Sequence, residues 1–180
     1  VYGKLEEVRV CDKAKDVRDK FIAEMKPKYS HQCRLLPAES VKQAVEGADI
    51  AVTVTPSKSP LVMNEWVKPG AHFTCIGADA PSKEELDPKI LTRAKIVVDD
   101  LEQALHCGEI GVPLAKGLIK RDDIWGDLCE IVAGLKAGRV SQNEITAFIS
   151  TGMAIQDAVT AKLVYEKAIC GNVGRFIELT

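Results

Sequence analysis

Residues 7–12 alternate between polar and apolar and then close on an acid, the pattern of a strand with one face covered. Over 13–25 the spacing changes. Val17, Phe21, Ile22 and Met25 fall on one helical face, and Pro27 is expected to stop that helix. Residues 33–36 read as a short strand. Ser40 is placed to cap a helix carrying Val41, Ala44 and Val45, with Gly47 as its stop. Residues 49–55 are β-branched and apolar without alternation, as in a strand buried on both faces of a parallel sheet. The Pro-Ser-Lys-Ser-Pro run at 56–60 ends it, 66–70 makes a turn, and 71–76 is the next strand. Ser82 and Glu85 match a capping box for a helix reaching about Arg93. A strand at 95–98 ends in Asp99-Asp100, and 101–106 is helical. Residues 108–139 are less regular, with one helix expected over 124–135 and closed by Gly138. A strand at 144–149 precedes a long helix over 153–169, with Ile155, Val159, Leu163 and Val164 expected to face inward.

Regular alternation of strand and helix implies βαβ units and an α/β fold, a doubly wound parallel sheet covered by helices. A length of 180 residues suits one domain. A net charge of -2 gives no electrostatic footprint for nucleic acid. The apolar runs fall short of the roughly 20 residues that span a bilayer, so no membrane partner is expected. Six cysteines form no CxxC pair, which reads as reduced thiols and a cytoplasmic location. His31, His72 and His106 lack metal spacing, and Asp99-Asp100 reads as a solvated strand end, so no metal is expected.

In an open parallel sheet, ligands bind outside the carboxyl ends of the strands. Asp12 ends the first strand. It can accept hydrogen bonds from both hydroxyls of an adenosine ribose, and it fits equally as a helix N-cap. Thr53, Thr55 and Ser57 can line a dinucleotide crevice, although β propensity and turn chemistry account for the same residues. Gly77 lets the chain leave a strand tightly or approach a ligand closely. Asp79 then stands in the cleft, where a carboxylate can move a proton or hold an ammonium group. Lys83, expected in the first turn of the next helix, is disfavoured there by the helix dipole unless an anion or carboxylate offsets it.

Three stretches, "VTVTPSKSPLV" (52–62), "CIGADAPSKEELDPKIL" (75–91) and "ISTGMAIQDAVTAKLVYEKA" (149–168), resemble the ornithine cyclodeaminase/μ-crystallin family. A fourth, "AKIVVDDLEQALHCGEIGVPLAKGLI" (94–119), resembles its archaeal-type alanine dehydrogenases. The resemblance implies a Rossmann domain binding NAD, or NADP, beside a smaller domain that binds substrate and forms a homodimer. It implies Asp12 as the ribose acid and Thr55, or Thr53, as a cofactor-lining residue. Ile76, Gly77 and Ala78 would border the nicotinamide, Lys83 would contact the cofactor, and Ser150 would lie near the carboxamide. Thr151 would neighbour a small amino-acid or keto-acid substrate, and Asp79 would handle protons there.

By the same resemblance, hydride leaves the amino acid's α-carbon, water attacks the imine and ammonia departs. A cyclodeaminase shares the hydride step but closes a ring with the substrate's own distal amine. A μ-crystallin-like binding protein would hold NADPH and a ligand without turnover, and the intact Asp79 disfavours it. Two positions depart from the family pattern: Ile149 stands where an acid is usual, and Ser82, a better capping residue, where glycine is common. The family's Gly-rich loop, the strand before it and the substrate domain would precede Val1. The chain is therefore expected to be the C-terminal two-thirds of a Rossmann domain plus a C-terminal helix. Alone it should bind dinucleotide weakly and turn over no substrate, because the phosphates lose their backbone N–H cradle. The strand at 8–12 is expected not to pair directly with that at 49–55.

Overall fold

The computed structural model describes residues 5–177. β1 (Glu7–Val10) and β2 (Arg34–Pro37) pair in parallel, with Glu7 beside Arg34 and Val10 beside Pro37. α1 (Lys15–Tyr29) crosses between them. Pro27 lies inside α1 and does not stop it; it falls in the last turn, which Ser30 N–H closes on Lys26 O at 3.0 Å. The buried Arg18 ties α1 to the chain after β2 through Ala38 O and Glu39 Oε1. Ser40 caps α2 (Val41–Val45), its hydroxyl accepting from Gln43 N–H.

The chain continues through β3 (Ile50–Thr53), β4 (Lys58–Val62), β5 (His72–Cys75), β6 (Glu84–Leu86) and α3 (Pro88–Leu91). Then come β7 (Lys95–Val98), α4 (Leu101–His106), α5 (Gly108–Ala115) and β8 (Ile124–Asp127). It closes with α6 (Leu128–Val132), β9 (Thr146–Ile149) and α7 (Ala154–Cys170). The main sheet runs in the order β3-β5-β9-β7-β8, and every neighbouring pair is parallel. Its carboxyl ends therefore share one edge. β4 and β6 form a separate parallel pair, and β1 does not pair with β3 among the described residues.

Along β5, β7 and β9 the residues alternate. Phe73, Cys75, Ile96, Val98, Ala147 and Ile149 enter the core with Leu86, Ile90 and Ile110, while His72, Thr74, Val97 and Phe148 lie half-buried on the other face. Val52 on the edge strand β3 is 60% exposed rather than covered on both faces. No helix among the described residues is long and apolar enough to cross a membrane.

Further local expectations fail. Ser82 and Glu85 form no capping box, because Ser82 adopts a left-handed φ of 66° and Glu85 belongs to β6; the helix that follows is capped by Asp87. Ser82 is thus no better a cap than glycine, and Lys83 lies in a turn, not in a helix. The apolar spacing over 124–135 is divided, since Ile124, Gly126 and Asp127 pair with β7 and only α6 is helical. Residues 56–60 do not simply end a strand, because β4 begins at Lys58. The inward stripe expected on α7 is exposed: Ile155, Val159, Leu163 and Val164 are all open to solvent.

Candidate active site

Glu85 fastens two strand ends together. It is fully buried, and its carboxylate accepts from Thr55 N–H at 2.7 Å through one oxygen and from Gly77 N–H at 3.1 Å through the other. A β-carbon on Gly77 would strike the Thr55 backbone and Glu85 Oε2, so the close approach requires glycine. Glu109 on α5 supports the same region from below. Its Oε1 accepts from Glu85 N–H, and Leu86 N–H reaches Oε2 at 3.1 Å. Burial pushes the Glu109 carboxyl up to about 8; the two N–H groups oppose the rise and the charges of Glu85 and Glu84 add to it.

Beyond Gly77 the chain dips through buried Ala78 and emerges at Asp79. Asp79 Oδ1 accepts from Lys83 Nζ at 2.5 Å, although Asp79 keeps 54% of its side chain exposed. The hydrogen bond from Lys83 holds the Asp79 carboxyl below its ordinary range. The turn that brings Lys83 back is closed by its own N–H on Ala80 O. Gly108 N–H also bonds Ala80 O, and a side chain at Gly108 would strike Ala78 and Lys83 O. The loop is thus gripped between β3 and the start of α5. Cys107 lies between the two halves of the edge: burial raises its thiol pKa, and the Asp79 and Asp99 charges add to that.

The second half is built on Asp99. It is 7% exposed and no solvated strand end, contrary to the sequence reading; five donors from its own and the neighbouring strand end converge on it. Its Oδ2 accepts from Ser150 Oγ at 2.9 Å, Thr151 N–H at 2.9 Å and Gly152 N–H at 2.8 Å. Its Oδ1 accepts from Asp100 N–H at 3.0 Å and from Thr151 Oγ1 at 3.3 Å. Asp100 turns outward and caps α4 through Gln103 N–H, and Gln103 Nε2 reaches back to the carbonyls of Thr151 and Gly152.

The remaining candidates are less closely gathered. Ile76 is exposed beside Gly77. The Thr53 hydroxyl is buried and unpartnered, whereas Thr55 Oγ1 accepts from Ser57 N–H at 3.3 Å. Asp12 is exposed at the end of β1; its Oδ1 accepts from Ala14 N–H at 2.7 Å, a local turn, while the α1 cap itself is Ala14. A cavity of about 560 Å³ opens elsewhere, on the half-covered sheet face, lined by Ile50, His72, Lys95, Arg139 and Phe148. Its cations are already engaged: Lys95 by Glu144, and Arg139 by Gly70 O, Glu144 O and Thr146 Oγ1. None of the candidate residues lines it.

The family model for the ornithine cyclodeaminase/mu-crystallin family matches residues 1–172. The chain belongs to that family. It is 50% identical over 169 residues to an alanine dehydrogenase of Archaeoglobus fulgidus, covering 92% of this chain and 51% of that protein. An archaeal alanine dehydrogenase dimer solved with bound NAD superposes with a TM-score of 0.88 at 45% identity, over 97% of this chain and 53% of that one. The Δ1-pyrroline-2-carboxylate reductase of Thermococcus litoralis, solved with NADH and L-proline, gives 0.90 at 37% identity, over 96% and 53%. This family member thus spans about half the length of the curated relatives it matches. Its parallel α/β fold is that of these NAD-bound structures.

Glu85, Asp99, Gln103, Gly108 and Glu109 are the residues that sequence reasoning missed. The Asp-Asp pair at a strand end was the one local signal, since a single cap accounts for only one of the two acids.

Proposed function

We propose that this chain is the dinucleotide-binding part of an NAD-dependent amino-acid oxidoreductase with alanine dehydrogenase-type chemistry. One observation carries the reading: the exposed carboxylate of Asp79, paired with the half-buried Lys83, stands at the carboxyl edge of a parallel sheet, on a loop anchored by Glu85, Gly77 and Gly108. The half-length match to an alanine dehydrogenase supports it.

The residues present fit a dinucleotide. Ile76, exposed beside the tight passage at Gly77, offers an apolar side chain against which a flat ring can rest. The exposed carboxylate of Asp12 suits a ribose with free hydroxyls and repels a 2′-phosphate, which favours NAD over NADP. Of the two neighbouring lysines that would soften that repulsion, Lys15 is paired with Glu39 at 2.6 Å, and Lys13 is exposed beside Asp12. A bound nicotinamide would supply hydride exchange at the substrate's α-carbon. Asp79, kept ionised by Lys83, takes the proton from the substrate ammonium or from the attacking water and later returns it. Lys83 holds that carboxylate in place, and Thr151 stands near the substrate side.

We further propose that the complete polypeptide carries a second domain for substrate binding and homodimerisation, and that it works in the cytoplasm. The half-length match and six unpaired cysteines support this.

In the complete polypeptide, Asp79→Asn should lower kcat at least a hundredfold while the Kd for NAD stays within about threefold. Unchanged turnover would remove Asp79 from the chemistry. NADH should accumulate with an amino acid and NAD; ammonia release without NADH would identify a cyclodeaminase.

A further inference from the structure

The Ser150–Thr151–Gly152 loop has had its hydrogen-bond donors turned inward. Ser150 N–H donates to Cys75 O at 2.9 Å, and the N–H groups of Thr151 and Gly152 donate to Asp99 Oδ2. A carboxylate can only accept, so the hydroxyl protons of Ser150 and Thr151 also point at Asp99. Five donors are therefore engaged, and what the two side chains offer the cleft is oxygen lone pairs. Gln103 fixes the far side of the loop by donating to the Thr151 and Gly152 carbonyls.

We propose that Asp99 is a positioning residue that makes this loop an acceptor-only surface, one that selects a ligand group bearing N–H protons and rejects carboxylates and phosphates. Two sources carry such a group under the functional reading above, on which this inference rests: the primary carboxamide of the nicotinamide and the amino group of the substrate. Asparagine at position 99 would break that pattern. Its amide NH₂ must donate, so the hydroxyl that faces it swings its proton outward, a backbone N–H loses its acceptor and the loop becomes a mixed surface.

The test uses the complete polypeptide with NAD and with 3-acetylpyridine adenine dinucleotide, which replaces the carboxamide NH₂ by a methyl group. Wild-type protein should prefer NAD by about tenfold, the worth of one well-placed hydrogen bond. Asp99→Asn should bring the ratio of the two Kd values close to one. The ratio separates polarity from general damage, because a loosened loop weakens both dinucleotides alike. Ser150→Ala, which leaves Asp99 and the backbone bonds intact, should lower the ratio too, and it decides the matter if Asp99→Asn does not fold. A rise of about tenfold in the amino-acid KM of Asp99→Asn with an unmoved ratio would assign the N–H group to the substrate. If neither ratio nor KM moves in either variant, the inference is overturned. If wild-type protein binds neither dinucleotide, the functional reading falls and this inference with it.

Discussion

Ser82 carries a backbone angle, φ 66°, that side chains with a β-carbon tolerate poorly. The turn it makes returns Lys83 to Asp79, so the strained position lies within the proposed chemistry. Ser82→Gly should relieve the strain and raise stability by up to about 1 kcal/mol, read as an increase in Tm. A lower Tm would mean the serine is held by something other than its backbone. Asp79 was legible from its place just past an apolar strand and a glycine. Asp99 was not, because an acid at a strand end is solvated unless donors from another strand converge on it. Those donors come from residues some fifty positions away. Gly77 was legible as a tight exit, but the carboxylate it approaches was not.

The junction of β6 and α5 shows how a helical pattern can mislead. Ser82 and Glu85 have the spacing of a capping box, yet the Glu85 carboxylate serves the N–H groups of Thr55 and Gly77. Three consecutive buried residues, Glu84, Glu85 and Leu86, then run beside β4. Two of them are acids that no hydrophobic periodicity would place in a core. By contrast α2 was readable, because its Ser40 cap and its apolar face are local. Glu109 joins α5 to β6 and carries a pH signature. Its carboxyl titrates near 8 in the folded chain and near 4.5 when unfolded, so between these values only the folded state keeps the proton. The stabilisation that Glu109 contributes is therefore fully present below about pH 4.5, declines through that window and is lost above about 8. The loss should be on the order of a few kcal/mol, since each unit is worth about 1.4 kcal/mol. Glu109→Gln, which mimics the protonated form, should flatten the slope of unfolding free energy against pH over this range. An undiminished slope would place its origin in another group.

At the scale of the whole molecule, the alternation of strand and helix was enough for a parallel α/β sheet, and the family resemblance for the break between β1 and β3, but neither was enough for the exposed stripe on α7 or the β4–β6 pair. Those depend on which surfaces meet, not on local periodicity. The order of the main sheet has a further consequence. Among the described residues β9 is the strand latest in sequence and the only link between β5 and β7 in the main sheet. On the ribosome, the β3–β5 and β7–β8 pairs must wait as two unjoined parts of the sheet until Thr146–Ile149 is made, and Ser150 and Thr151 leave the exit tunnel directly behind the strand that unites them. A nascent chain arrested before Thr146 should be cut readily by protease, and one arrested well past Ile149 should resist. Equal resistance of the two would show that the halves find another way to close.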